Sequence, residues 1–297
     1  ALLAALLAAP FFVYPVLMMK VLCLALFACA FNLLLGFTGL LSFGHAAFLG
    51  TAAYSTGYAM THLPVTPEVA LILGTLAAAA LGVVFGALAI RRQGIYFAMI
   101  TLALAQMVYF FCLQVPFTGG EDGLQGVPRG ALFGILDLRD DMMMYYFALA
   151  VFLAGFLFIY RTIHSPFGQV LKAIRENEPR ALSLGYDVDR YKLVAFVLSA
   201  ALAGLAGATK TLVLGFATLT DVHWATSGEV VLMTLVGGVG TVLGPLAGAV
   251  IIVVLQNELA DKVGSWVTVI MGTIFVVTVL AFRRGVVGEI AARFGGK

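Results

Sequence analysis

Long apolar runs separated by short polar connections dominate the pattern of this sequence. Most runs have about 20 residues, the length that an α-helix needs to cross the hydrocarbon core of a membrane. The runs are continuous rather than alternating with a period of two, which favours membrane-spanning helices over the strands of a barrel. The pattern predicts about ten spans, the first two divided only by Lys20, at 2–19, 21–36, 45–61, 68–90, 95–115, 142–161, 192–214, 225–239, 244–260 and 263–282.

Composition favours the same all-α, polytopic membrane class. Of the 297 residues, 62% are hydrophobic and 11% are charged, whereas a soluble domain carries roughly a quarter charged residues. We therefore expect residues 1–297 to form a single transmembrane domain in contact with membrane lipid. The net charge of +2 implies no nucleic-acid partner.

Lysine and arginine predict the orientation, because connections on the cytoplasmic side of a membrane carry an excess of both. With both termini cytoplasmic, twelve of these residues fall inside and four outside, and Lys210 lies near the outer end of a span. The outer loop, residues 116–141, is then periplasmic, and the charged loop, residues 164–191, is cytoplasmic. The outer loop is rich in glycine and is interpreted either as a solvated connector or as part of a surface for an external partner.

Two glycine-rich segments interrupt the apolar pattern without adding charge. They are Gly36–His45, the first break, and Gly237–Pro245, the second break. Broken helices build binding sites in transporters, where their free N–H groups can receive a carboxylate; helix packing through small residues is the alternative. The candidate substrate-path residues are Asn32, Thr38, Gly39, Ser42, Gly44, His45, Gln106, Gly238 and Gly240.

The sequence contains no convincing catalytic or nucleotide-binding pattern. Segment 204–211 resembles a phosphate-binding loop, but Thr209 precedes Lys210 where a glycine is needed, so we expect no ATP binding by this chain. Ser42 and His45 have no nearby carboxylate that would complete a triad. The four histidines are scattered along the chain. We expect a transporter subunit rather than an enzyme, with no metal or cofactor of its own.

The charged loop is the remaining place where energy can enter. Few ionisable residues lie within the predicted spans, which argues against an ion-coupled carrier. Pro179 suits the first turn of a short helix, Glu176 and Glu178 favour its N-terminal end, and Gly185 supplies the turn that ends it. A stiff helix that joins two spans can transmit a push from a soluble partner. The candidate coupling residues are Arg175, Glu176, Asn177, Glu178, Arg180, Ala181 and Gly185.

A family resemblance is carried by blocks that together reach from Asn32 to Asn257. They include GFTGLLSFGHAAFLGTAAY, YFAMITLALAQMVY, TGGEDGLQGVPR, KAIRENEPRALSLGYDVDRY and SGEVVLMTLVGGVGTVLGPLAGA. These blocks resemble branched-chain amino-acid (LIV-type) permeases of bacterial ABC importers, the M-type subunit more than the H-type. In the charged loop, residues 178–181 read Glu-Pro-Arg-Ala, where ABC importers usually have Glu-Ala-Ala.

The resemblance implies an ABC-importer permease of the bacterial inner membrane, paired with a homologous permease subunit in a heterodimer. It also implies two cytoplasmic ATPase subunits, which hold the ATP and magnesium, and a periplasmic substrate-binding protein. The implied substrates are branched-chain amino acids such as leucine, isoleucine or valine. Urea, short amides and aromatic acids are alternatives within the same family, and an ion-coupled secondary carrier is a further alternative.

Overall fold

The computed structural model describes residues 6–7, 9–11, 14–134, 136–281 and 285. The α-helices are α1 (Pro15–Thr38), α2 (His45–His62), α3 (Pro67–Ala89), α4 (Ile95–Gln114), α5 (Asp141–His164), α6 (Pro166–Glu176), α7 (Glu178–Ser183), α8 (Val188–Leu214), α9 (Trp224–Gly237), α10 (Gly244–Val263) and α11 (Val267–Ala281). Two short antiparallel strands, β1 (Ala131–Leu132) and β2 (Leu136–Asp137), form a hairpin in the outer loop.

The prediction of an all-α, polytopic membrane protein is confirmed. Across the described ranges, five helices are long and apolar enough to cross a membrane, namely α1, α3, α4, α5 and α8. Helices α2, α9, α10 and α11 also coincide with predicted spans. Proline occupies the first turn of α1, α3, α6 and α10, where its missing N–H costs no hydrogen bond.

The predicted boundary between two spans at Lys20 is wrong. Lys20 lies in the second turn of α1, which runs without interruption from Pro15 to Thr38. A lysine near a helix end can extend its ammonium group towards the membrane surface, so one charge does not divide a span. Residues 2–5, 8, 12 and 13 of the predicted first span, and the basic residues 283, 284, 293 and 297, lie outside the described residues.

Helices α1 and α8 form the centre of the structure. Nearly all of α1 is buried, and α8 packs against α1, α2 and α3. Small residues allow this approach, since Gly204 lies against Ala78 and Gly207 lies against the backbone of Leu49. Such close packing holds helices together in lipid, where apolar side chains gain little from leaving the solvent.

The outer loop is held against the connection between α8 and α9. Leu124 and Ala217 exchange two backbone hydrogen bonds of 2.9 Å. Arg129 donates to the carbonyl of Val213 at 2.9 Å and pairs with Asp141 at 2.5 Å. The order of this glycine-rich loop therefore comes from hydrogen bonds to the helix connections rather than from an α-helix of its own.

The contact between α2 and α8 gives a prediction about stability. A methyl group at position 207 would overlap the carbonyl oxygen of Leu49, whereas one at Gly228 of α9 would meet nothing within 4 Å. We expect Gly207→Ala to destabilise the protein by about 1–3 kcal/mol, as overpacking of a tight core does. Thermal unfolding of the purified chain in detergent should show a lower midpoint for Gly207→Ala and little change for the control, Gly228→Ala. Equal midpoints for the two variants would contradict the packing described here.

Candidate functional site

The charged loop folds as two helices, α6 and α7, which together connect α5 to α8. Ser165 begins α6, because its hydroxyl accepts a hydrogen bond from Gly168 N at 3.3 Å. Asn177 separates the two helices in an extended conformation, and its side chain caps α7 by accepting from Arg180 N at 3.1 Å. Gly185 ends this segment with a φ of 87°, a left-handed conformation that favours glycine.

A small apolar core of its own fixes the charged loop. Ile174 of α6, Ala181 of α7 and Val188 of α8 are buried together, and Tyr191 packs against them. Helix α6 also packs against α1 and α5. Both short helices are therefore part of the packed structure rather than a loose connection.

An ion pair attaches α7 to the first turns of α8. Glu178 Oε1 lies 2.7 Å from Lys192 Nζ and accepts a hydrogen bond from Gln93 Nε2 at 2.8 Å. Only 3% of the Lys192 side chain is exposed. A buried ammonium group needs a nearby carboxylate to offset the loss of its hydration, so Glu178 fixes the position of α7 on α8.

Side-chain hydroxyl groups accept hydrogen bonds from backbone N–H groups at the first break and at the start of α2. Gly44 N donates to Ser42 Oγ at 3.1 Å, Phe43 N donates to Thr101 Oγ1 at 3.2 Å, and Ala46 N donates to Ser227 Oγ at 2.9 Å. These bonds satisfy the start of α2 within the chain. A substrate carboxylate would have to displace them, so this conformation does not offer the free N–H groups expected from the sequence.

His45 lies inside the core beside the first break. Its Nε2 is 2.8 Å from Ser199 Oγ, and Ser199 in turn donates to Ala30 O at 2.5 Å. The imidazole ring makes edge contacts with Phe31, Phe48 and Phe196. His45 is fully buried, and in this conformation it connects α1, α2 and α8 rather than facing an open path.

The second break is held by the side chain of Asn32. Gly240 N donates to Asn32 Oδ1 at 2.9 Å, and Asn32 Nδ2 donates to Thr241 O at 2.9 Å. Gly36, one turn further along α1, leaves room for this approach, because a methyl group there would lie 2.7 Å from Gly240 N and would overlap Asn32 Oδ1. The Asn32 amide thus provides a hydrogen-bond partner for one backbone N–H group and one backbone carbonyl group of the second break. Irregular backbone in a membrane protein needs such partners, because lipid offers none.

Arg175 reaches the same place from the charged loop. Its Nη1 donates a hydrogen bond to Gly36 O, a carbonyl of the last turn of α1, where a cation is also favoured by the helix dipole. A methyl group built on Gly240 would lie 3.1 Å from that nitrogen. We call this set of residues the glycine junction: Asn32, Gly36, Arg175, Gly240 and Thr241.

An apolar cavity of about 460 Å³ lies between the first break and the start of α4. Leu40, Leu41 and Phe43 line one side, and α4 lines the other. Gly39 is also part of the lining, and a methyl group there would lie 3.3 Å from Cγ of Arg175. The glycine junction therefore adjoins the wall of this cavity.

Comparison with known proteins assigns the family. The sequence model described as "Branched-chain amino acid transport system / permease component" matches residues 16–279, which include every helix from α2 to α10 and most of α1 and α11. The chain belongs to this family. It is therefore a permease-family protein, and the resemblance noted in the sequence is confirmed. No solved structure matches the chain.

Several curated permease proteins are similar to the chain. The high-affinity branched-chain amino acid transport system permease protein LivM of Salmonella typhimurium is 28% identical over 253 residues, which cover 77% of this chain and 60% of the relative. The probable LivM of Methanocaldococcus jannaschii is 28% identical over 63% of this chain and 55% of its own length. The ribose import permease protein RbsC of Bacillus subtilis is 30% identical over 61% of this chain and 58% of its own length. The chain thus spans about 60% of the length of the LivM relatives.

The predicted coupling residues of this permease chain fall into two groups. Five of them hold the charged loop to itself or to the rest of the chain through the contacts given above: Arg175, Asn177, Glu178, Ala181 and Gly185. The other two, Glu176 and Arg180, are exposed, as are Arg175, Asn177 and Gly185. Sequence reasoning missed three exposed apolar side chains beside them, Leu182, Leu184 and Tyr186. The sequence pattern that could have identified them is the occurrence of large apolar residues within a highly charged stretch.

The predicted substrate-path residues are only partly brought together. Asn32 and Gly240 meet in the glycine junction, and Gly39 lines the cavity. Ser42 is fully buried, like His45, and Thr38 is buried with its hydroxyl bonded to Leu34 O.

The remaining three candidates differ in their surroundings. Gly44 packs against the backbone of Thr101, where a methyl group would lie 2.9 Å from the carbonyl oxygen. Gly238 ends α9 with a φ of 122°. Gln106 lies half-buried on α4. A role of any of these residues in substrate contact stays a prediction. Among the residues that the structure describes, no group of three or more His, Cys, Asp or Glu side chains is placed to hold a metal ion.

The attachment of α7 gives a second prediction. Replacing Glu178 by alanine leaves the Lys192 ammonium group buried without its carboxylate, so we expect α7 to detach from α8 more often. Trypsin cleavage after Arg180 in the purified permease should then become at least about tenfold faster, the factor that corresponds to about 1.4 kcal/mol. The control is Glu176→Ala, which removes an exposed carboxylate of the same loop. Cleavage at the same rate in both variants would show that the ion pair does not hold α7.

Proposed function

We propose that this chain is a membrane-spanning permease subunit of an ABC importer that carries branched-chain, hydrophobic amino acids across the bacterial inner membrane. In this proposal the chain is a single transmembrane domain that forms a heterodimer with a homologous permease subunit. Two cytoplasmic ATPase subunits bind ATP and magnesium and supply the energy, and a periplasmic binding protein delivers the substrate. The family membership and the similarity to LivM proteins support this assignment.

The observation that carries the proposal is the connection of the charged loop to the central helix. Helix α7 leads directly into α8 and is attached to it through the pair of Glu178 and Lys192. Since α8 packs against α1, α2 and α3, a displacement of α7 acts on the helix that contacts most of the core. With both termini and the charged loop cytoplasmic, the ATPases would act at this point, while the outer loop, residues 116–141, faces the periplasm and the binding protein.

The exposed face of the charged loop suits a protein partner. Leu182, Leu184 and Tyr186 expose 55%, 69% and 40% of their surface, and the charged residues Glu176 and Arg180 lie on the same loop. Apolar side chains exposed within a polar surface mark sites of protein association. We assign this face to the ATPase, and we call its five residues the docking face.

The apolar cavity supports a hydrophobic substrate. Leucine, phenylalanine and glycine line it beside the first break, a surface that suits aliphatic side chains better than hydroxyl-rich solutes. Urea, short amides and aromatic acids stay as alternative substrates for a permease of the same family. The similarity to a ribose import permease makes a sugar a necessary member of any substrate panel.

Reconstitution provides the third prediction. The chain, its homologous permease, the two ATPases and the binding protein are placed in liposomes and supplied with leucine, isoleucine, valine, urea, an aromatic acid or ribose. We expect uptake of the branched-chain amino acids only when ATP is present on the side of the membrane that holds the ATPases. We expect no uptake by the isolated chain. Uptake by the isolated chain driven by a proton or sodium gradient would establish a secondary carrier instead. ATP-dependent uptake of another solute in the panel would keep the permease function and replace the substrate.

The docking face gives the fourth prediction. A charge in place of Leu182 should lower the affinity of the ATPase by about tenfold or more, because a carboxylate buried in an apolar contact loses its hydration without gaining a partner. Retention of the ATPase on immobilised Leu182→Asp permease measures this loss. Phe133→Asp, which changes an exposed apolar residue of the outer loop, is the matched control. Undiminished retention by Leu182→Asp would remove the docking face from the account.

A further inference from the structure

We propose that Arg175 is a positioning residue that links the charged loop to both glycine breaks, and that Asn32 completes this link. Movement of α6 is thereby transmitted to the end of α1 and to the connection between α9 and α10. The inference rests on the proposed transport function and adds to it a route within this chain. It also changes the role expected for Arg175, from a contact with the ATPase to a contact with the substrate path.

The first part of the link joins α6 to α1. Arg175 Nη1 donates to Gly36 O, and a methyl group built on Gly39 would lie 3.3 Å from Cγ of Arg175. Lys172, one turn earlier on α6, places its ammonium group 5.8 Å from the centre of the Phe37 ring. Two cationic side chains of α6 therefore meet the last turn of α1, where the helix carbonyl groups and dipole favour positive charge.

The second part of the link joins α1 to the second break. The Asn32 amide makes two hydrogen bonds of 2.9 Å, one with Gly240 N and one with Thr241 O. Gly240 has a φ of 78°, and a methyl group there would lie 3.1 Å from Nη1 of Arg175. The guanidinium group thus bonds to Gly36 and lies beside Gly240, so it is positioned between the two breaks.

Displacement of α6 has a defined consequence for these contacts. Either Gly36 and Gly240 follow the guanidinium group, or the partly buried, charged hydrogen bond to Gly36 O is lost. The first outcome moves the wall of the cavity, because Gly39 lies beside Arg175 and lines that cavity. A guanidinium group suits this role better than an ammonium group, since its planar head has several fixed donors at the end of a long side chain.

The test measures coupling rather than activity alone. In the reconstituted complex with all partner subunits, we expect Arg175→Met to retain ATPase binding and at least half of the ATP hydrolysis, but to lower the substrate taken up per ATP hydrolysed by about tenfold or more. Arg175→Lys should lie between wild type and Arg175→Met. Arg161→Met, which removes an exposed arginine near the end of α5, is the control and should keep the wild-type ratio.

A double-mutant cycle identifies the link itself. If Arg175 and Asn32 act through one junction, the combined variant Arg175→Met with Asn32→Ala should lose little more coupling than the worse single variant. If the uptake per ATP of the combined variant falls by the product of the two single-variant factors, the two residues act independently, and the proposal is overturned. If Arg175→Met fails to assemble, the cycle is carried out with Arg175→Lys, for which the same non-additivity is expected.

The outcomes separate this proposal from the transport function on which it rests. A wild-type complex without ATP-dependent uptake of any solute in the panel would contradict the function. A wild-type complex that transports, together with an Arg175→Met complex of unchanged coupling ratio, would overturn the role of Arg175 and leave the function in place. A parallel loss of ATPase binding and uptake in Arg175→Lys would also overturn it, because Arg175 would then be a docking residue.

Discussion

The side-chain amide of Asn32 carries the constraint on which the rest of the site depends. Irregular backbone within a membrane protein must find hydrogen-bond partners inside the chain, and Asn32 supplies both a donor and an acceptor to the second break. The absence of a side chain at Gly36 allows the two segments to approach closely enough for these bonds. The end of α1 and the connection between α9 and α10 are thereby held as one unit.

The charged loop is attached to this unit and to the core at separate points. Arg175 connects α6 to Gly36 O, while Glu178 connects α7 to the buried Lys192 of α8. The loop therefore acts on the two most central helices, α1 and α8, through short polar contacts. Such contacts are specific in direction, which distinguishes them from the apolar packing that surrounds them. In the proposed function, the exposed face of the charged loop is where the ATPase docks.

Sequence periodicity predicts the helices well because lipid leaves few alternatives for a long apolar run. It misplaces the boundary at Lys20, since a single lysine near a helix end is tolerated inside a span. The short helix before Gly185 is predicted from Pro179 and Glu178, whereas Glu176, also expected at its start, is the last residue of α6. The contacts of Arg175 with Gly36 O and of Glu178 with Lys192 are not predicted, because charge alone does not reveal whether a side chain faces a partner protein or the rest of its own chain. Sequence patterns also do not reveal that the hydroxyls of Thr101 and Ser227 bond beside the first break, because their partners, Phe43 and Ala46, lie 58 and 181 residues away.

The account is tested most directly by distances measured between spin labels in the assembled complex, with and without a non-hydrolysable ATP analogue. One pair joins Gln169 of α6 to Leu243 of the second break, and the other joins Gln169 to Phe133 of the outer loop; all three residues are exposed and none belongs to the docking face. The account predicts that the first distance stays constant while the second changes, because the glycine junction moves as one unit with α6. A first distance that changes as much as the second would show that the charged loop moves without the break and would contradict the account.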